Sequence, residues 1–137
     1  MEGVLTMVSR LNAPRVLVVE DDPDLSGVLA DGLRRGGFQV IIATSAVEAI
    51  SKLTKQKFEC VLLDLRLPGG GERVISMMRK ERGYNFSTPI VVMSGFIDSD
   101  VVKRIRTQVS DILVKPFKLP VLVEKIKHLV PDPAPPA

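Results

Sequence analysis

Cysteine is nearly absent from this 137-residue sequence: Cys60 stands alone, so no internal disulfide can form. The expected setting is therefore a reducing cytoplasm. Cys60 ends the polar "KFE" and opens an apolar run, so it reads as a small core residue. Long hydrophobic stretches are missing too. No run approaches the roughly 20 residues of a membrane-spanning helix, which excludes a membrane role from the reading. The opening "MEGVLTMVSRLNAP" has no basic start, no sustained apolar stretch and no small-residue cleavage site, so it is not a secretory signal. A large net charge is also lacking. At +3, the chain gives no ground for nucleic-acid binding. No internal repeat is found.

What is present describes an ordinary globular protein. The chain is 45% hydrophobic and 26% charged, and 137 residues fit one domain with one core. The charge is unevenly distributed. Glu20, Asp21, Asp22, Asp24 and Asp31 form an acidic stretch without a basic residue. From Val101 to Val130, Lys103, Arg104, Arg106, Lys115, Lys118, Lys125 and Lys127 face only Asp111 and Glu124. Most of these read as solvated helix faces, and the sharper reading is a docking face for an acidic partner.

Five short apolar runs, "VLVV" (16–19), "VIIA" (40–43), "CVLLD" (60–64), "IVVM" (90–93) and "ILV" (112–114), lack alternation, as strands buried on both faces do. Between them, apolar residues recur at helical spacing: Leu25, Val28, Leu29 and Leu33, then Val47, Ile50 and Leu53, then Val74, Ile75 and Met78. Val101, Val102, Ile105 and Val109 mark a fourth helix, and Leu122, Ile126, Leu129 and Val130 a fifth. Five alternating pairs predict an α/β fold, a single doubly wound five-stranded parallel sheet with helices on both faces. Residues 1–14 read as an N-terminal extension, in which Met7 is an alternative start, and 15–130 as the domain. The tail "PDPAPPA", 131–137, is too proline-rich for a helix and is expected to be disordered.

In open parallel sheets, ligands sit beyond the carboxyl ends of the strands. Those ends carry Glu20, Asp21 and Asp22 on strand one, Asp64 on strand three, Ser94 and Gly95 on strand four, and Lys115 on strand five. Thr44 and Ser45, at the end of strand two, read as a helix cap, and Asp22 or Asp24 as another. Crowded carboxylates repel unless a cation neutralises them, and a set of hard oxygen ligands suits Mg²⁺.

Together, "VVEDDPDL", "LLDLRLPGG", "VVMSG" and "LVKPF" resemble the receiver domain of two-component response regulators, over about residues 15–130. The resemblance implies a flavodoxin-like (βα)5 fold and Asp64 as phosphoacceptor, loaded from the phosphohistidine of a sensor histidine kinase or a phosphotransfer protein. It implies Mg²⁺ bound by Asp21 and Asp64, by Glu20 mostly through water, and by the backbone carbonyl of Arg66. The residue chemistry agrees. Lys115 suits one phosphate oxygen and the Ser94 hydroxyl another, while the backbone N–H groups of Leu65 and Gly95 serve a third. His128, near the end of the last helix, reads as a helix C-terminal residue, so the phosphoryl donor is another molecule.

The pattern departs from the family at Ile112. There an aromatic residue ordinarily turns inward after phosphorylation, and Phe96 is a candidate substitute. The "RLPGGGERVI" and "TQVSDI" stretches are each about one residue short, and "PGGG" reads as a flexible loop. The leading reading is a stand-alone receiver that is not an enzyme and contacts no nucleic acid directly. It acts on a downstream protein through a face built around strand five, with Lys103, Arg104, Arg106 and Lys118 as candidates. A second reading is a degenerate receiver that binds partners without phosphate switching. A third is a haloacid dehalogenase-like phosphatase using "DPDLS", with Asp22 as nucleophile, although no later acidic pair stands at a strand end. A dinucleotide-binding reading fails because the turn after strand one is acidic where glycines are needed.

Overall fold

Every apolar run becomes a strand in the computed structural model, which describes residues 12–80, 82–96 and 98–130. The strands are β1 (Arg15–Val19), β2 (Gln39–Ala43), β3 (Cys60–Asp64), β4 (Ile90–Ser94) and β5 (Asp111–Val114). They form one sheet in the order β2-β1-β3-β4-β5, and each neighbouring pair is parallel. Five helices alternate with them: α1 (Pro23–Arg35), α2 (Ala46–Lys55), α3 (Gly71–Lys80), α4 (Ser99–Ile105) and α5 (Leu119–Leu129). This is the doubly wound parallel sheet that the alternation predicts, in the flavodoxin-like order that the resemblance implies. Most of the expected extension and the whole proline-rich tail lie outside the described residues.

The missing alternation has a simple cause. Successive side chains leave a strand on opposite faces, and both faces of the central strands are covered. Leu17, Val19, Val61, Leu63, Ile90 and Val92 pack against Leu53, Val74, Ile75, Met78 and Ile105, from α2, α3 and α4. Val16, Val18, Cys60, Leu62, Val91 and Met93 pack against Leu29, Leu33, Leu122 and Ile126, from α1 and α5. Strands β3 and β4 are buried throughout, whereas the outer strands β2 and β5 are only partly covered. Cys60 is fully buried, and burial pushes its thiol up to about 12. It is an inert core residue.

The helix ends follow from local chemistry. The Asp22 carboxylate accepts from the backbone N–H groups of Asp24 and Leu25 at 3.0 and 3.4 Å, and Pro23 opens α1. Ser45 caps α2 by accepting from the Glu48 N–H, while the Glu48 carboxylate accepts from the Thr44 N–H and hydroxyl. Helix α4 is shorter than its apolar spacing suggests. It stops at Ile105, and Val109 reaches the core from beyond the turn that follows.

The "PGGG" segment is not a loose loop. Gly69 and Gly70 adopt φ of +90° and +89°, a region closed to most side chains. The Pro68 carbonyl accepts from the Ala46 N–H, and the Gly71 N–H donates to the Leu65 carbonyl. A Cβ on Gly71 would lie 2.7 Å from both the Asp64 carbonyl oxygen and Leu65 Cα. That glycine lets α3 start directly against the backbone carrying Asp64. At the opposite end of the sheet, buried Asn85 holds the turns together. Its amide donates to the carbonyls of Leu53 and Gln56, and its oxygen accepts from the Phe58 N–H.

Two glycine substitutions should move stability in opposite directions. Gly71→Ala forces backbone apart and should cost about 1–3 kcal/mol. Gly27→Ala, inside α1 with nothing within 4 Å, should gain about 0.5–1 kcal/mol. Urea unfolding of both variants checks the pair, and equal effects would contradict the close approach at Gly71.

Candidate functional site

The sheet order reverses between β1 and β3, so the connections leaving these strands diverge and open a crevice at their carboxyl ends. Four charged side chains are delivered there. Glu20 directly follows β1, Asp21 is next, Asp64 is the last residue of β3, and Lys115 directly follows β5. Glu20 and Asp64 are buried, at 2% and 5% exposure, while Asp21 is open to solvent. One oxygen from each of the three carboxylates lies within 4.8 Å of the others. The Lys115 ammonium stands 3.3 Å from Glu20 Oε2 and 3.3 Å from Asp64 Oδ2.

This cluster is electrostatically unbalanced. Burial is the main force pushing the Glu20 carboxyl up to about 7. A hydrogen bond to Asp64 and repulsion from its charge add to this, and Lys115 offsets only part of it. Desolvation works against the charged Lys115 ammonium, but the nearby Asp64 and Glu20 charges and hydrogen bonds outweigh it and raise its affinity for a proton. Three clustered oxygen donors, two on buried residues and one exposed, under-neutralised by one ammonium, fit a hard divalent cation such as Mg²⁺.

Other expected residues take more varied places. The backbone N–H of Arg66 donates to Asp64 Oδ1 at 2.9 Å. That of Leu65 instead continues the sheet by donating to the Met93 carbonyl at 3.1 Å, so it does not stand free for a phosphate oxygen as expected. Gly95 is exposed, and a Cβ there would meet nothing within 4 Å. Buried Ser94 does not join the lysine–carboxylate cluster. Its hydroxyl donates to the Phe96 carbonyl at 2.7 Å. Strand alternation explains this, because Ser94 follows Ile90 and Val92 onto the α3–α4 side of the sheet. There it lines a cavity of about 260 Å³ with Leu65, Arg66, Glu72, Phe96, Asp98 and Val101.

Ile112 is half-buried and packs on the core of the same side. Lys103, Arg106 and Lys118 are exposed. Arg104 is not simply a solvated cation: its guanidinium grips the Glu72 carboxylate through two bonds, of 2.9 and 3.2 Å, fastening α4 to α3. His128 lies in the last turn of α5, its Nδ1 2.7 Å from the Glu124 carbonyl oxygen. Asp22 is occupied as the cap of α1.

A parallel sheet whose switch point gathers carboxylates around one lysine is suited to hold a cation beside an anionic group. The family model described as the response regulator receiver domain matches residues 16–127, and the chain belongs to that family. Receiver domains are phosphoacceptor signalling domains of two-component systems, not enzymes. The transcriptional regulatory protein PrrA of Mycobacterium tuberculosis is 34% identical over 126 residues, covering 90% of this chain and 53% of PrrA. The DNA-binding response regulator MtrA of Mycolicibacterium smegmatis is 35% identical over 115 residues, or 82% of this chain and 49% of MtrA. The chain thus spans about half the length of these relatives. Among solved structures, a CheY-like receiver domain from Methanospirillum hungatei superposes with a TM-score of 0.78 at 25% identity, covering 85% of this chain and 92% of that one. The receiver domain of the Pseudomonas aeruginosa sensor histidine kinase PA1611, solved with magnesium in its active-site cleft, gives 0.77 at 24% identity, covering 85% and 97%.

The Glu20 shift has a measurable consequence. The folded protein keeps a proton on Glu20 up to about 7, whereas an unfolded chain releases it near the ordinary 4.5. In metal-free solution the stability should therefore fall as pH rises through that interval and level off above it. Glu20→Gln should remove this decline and gain about 1–3 kcal/mol at slightly alkaline pH. Urea unfolding at several pH values, with a metal chelator present, checks it. A decline of equal depth in the variant would contradict the assignment.

Proposed function

We propose that Asp64 accepts a phosphoryl group from the phosphohistidine of a sensor kinase or phosphotransfer protein. One observation carries the proposal: the buried Asp64 carboxylate and Glu20 share the Lys115 ammonium at 3.3 Å, with Asp21 completing the acidic cluster. Asp21, Asp64 and the Arg66 carbonyl would hold Mg²⁺, with Glu20 acting through water. When bound, the ion neutralises charge between the attacking carboxylate and the phosphoryl oxygens. An Asp64 carboxylate oxygen forms the new bond to phosphorus. The phosphorus–nitrogen bond of the donor breaks, and its electron pair returns to the imidazole. Lys115, a compact charge on a flexible stem, pairs with a phosphoryl oxygen. The Arg66 N–H already points at the carboxylate, and the Gly95 N–H and the Ser94 hydroxyl, once it leaves the Phe96 carbonyl, would serve the remaining oxygens. The magnesium in the PA1611 receiver domain supports the same ion here.

On this reading residues 15–130 are the switching unit, flanked by the extension 1–14 and the tail 131–137. Output goes to a protein partner through the α4–β5–α5 face, where Lys103, Arg106 and Lys118 are free to engage acidic groups. Direct contact with nucleic acid is not assigned to this unit. The phosphatase reading loses support because its nucleophile, Asp22, is spent on capping α1. The degenerate reading draws on Ile112 and on the Ser94 hydroxyl being turned away from Asp64.

Thermal unfolding with Mg²⁺ and beryllofluoride tests the site. A ligand of the folded state at about 100 times its Kd should add about 2.7 kcal/mol, and Asp64→Asn should abolish the gain from the mimic. No gain in the parent protein would remove the phosphoacceptor reading. Lys103→Glu with Arg106→Glu should weaken partner binding about tenfold while leaving the gain intact. Unchanged binding would remove the face assignment.

A further inference from the structure

Ser94, the last residue of β4, and Arg66, two residues beyond Asp64, meet on a third residue, Phe96. The Ser94 hydroxyl donates to the Phe96 carbonyl at 2.7 Å, and the Phe96 N–H lies 3.4 Å from the same hydroxyl oxygen. The Arg66 guanidinium stands 5.9 Å from the centre of the Phe96 ring, within cation–π reach. Arg66 is also the residue whose N–H binds Asp64 Oδ1. Phe96 is 65% exposed.

The surroundings leave this loop as the element able to respond. Helix α4 is fastened to α3 by the Arg104–Glu72 pair, and Asp98 caps it by accepting from the Asp100 N–H. At Ile112 a branched aliphatic packs into the core with no ring to swing. Phe96 lies between the end of β4 and the cap of α4. A hydroxyl has one hydrogen to donate. Ser94 cannot give it to the Phe96 carbonyl and to a phosphoryl oxygen together. Engaging the phosphoryl group breaks the bond that ties down the Phe96 backbone.

We propose that Phe96 is the aromatic reporter of phosphorylation in this chain. It is latched by the Ser94 hydroxyl and the Arg66 guanidinium, and it is released when Ser94 turns to the phosphoryl group. The proposal rests on Asp64 being the phosphoacceptor. It moves the mobile ring from β5 to the β4–α4 loop, beside the face assigned to output.

The sequence has no tryptophan, so Phe96→Trp installs a single fluorescent probe at an exposed position. Titration with Mg²⁺ and beryllofluoride should shift its emission with the same half-saturation as the thermal gain. Adding Arg66→Ala to the probe protein should move the ligand-free emission toward the liganded value. In the parent sequence, Arg66→Ala and Phe96→Ala should each tighten mimic binding about two- to fivefold, the worth of an exposed cation–π contact. The double variant should bind no tighter than either single one. A thermal gain with unmoved emission overturns the latch and leaves Asp64 as acceptor, and so do additive or weakening effects. Absence of any thermal gain overturns both.

Discussion

One ammonium shared between two buried carboxylates is the constraint around which this fold is arranged. Lys115 reaches Glu20 and Asp64 across 95 and 51 residues of sequence. Only a sheet that sets β1 beside β3 and aligns the end of β5 with both can make that contact. Burying such charges costs several kcal/mol per ion even after relaxation, and Coulomb attraction recovers it only with good geometry. The protein stops short of full compensation: burial and Asp64 push the Glu20 carboxyl up to about 7 in spite of the Lys115 ammonium. A site built for stability alone would have been neutral or apolar. This one keeps a deficit of positive charge, which a divalent cation would offset and which an anionic phosphoryl group could approach only beside that cation.

The two faces of the sheet divide the work. Glu20, Asp64 and Lys115 gather at the crevice mouth, whereas Ser94 opens onto the α3–α4 side, among Arg66, Phe96 and Val101. On the proposed reading, phosphoryl acceptance and its readout would occupy neighbouring compartments joined at the ends of β3 and β4. Gly71 keeps them close by allowing α3 to begin against the Asp64 backbone. Arg104 and Glu72 fix the distance between α3 and α4.

Most of the fold was legible in the sequence because buried parallel strands write themselves as unbroken apolar runs, and Cys60–Asp64 and Ile90–Ser94 are of that kind. The helix caps at Asp22 and Ser45 were legible for a local reason: their side chains bond within three residues. The carboxylate–lysine cluster followed from strand ends meeting on one edge. Long-range detail was not legible. Nothing in the neighbours of Leu65 shows that its N–H is taken by Met93, or that Arg104 spends its charge on Glu72. "PGGG" looked loose because glycine frequency signals freedom, whereas Gly71 is present for lack of space. Asn85 passed unnoticed for the same reason: its partners at Leu53, Gln56 and Phe58 lie 27 to 32 residues away.

The most direct test is to locate the phosphoryl group itself. The protein is incubated with Mg²⁺ and a small phosphorus–nitrogen donor such as phosphoramidate, the acyl phosphate is trapped by borohydride reduction, and the modified residue is read by mass spectrometry. The account predicts a single reduced aspartate, at Asp64, dependent on Mg²⁺. Modification at Asp22 instead, or no modified aspartate under conditions where the folded protein persists, would contradict it.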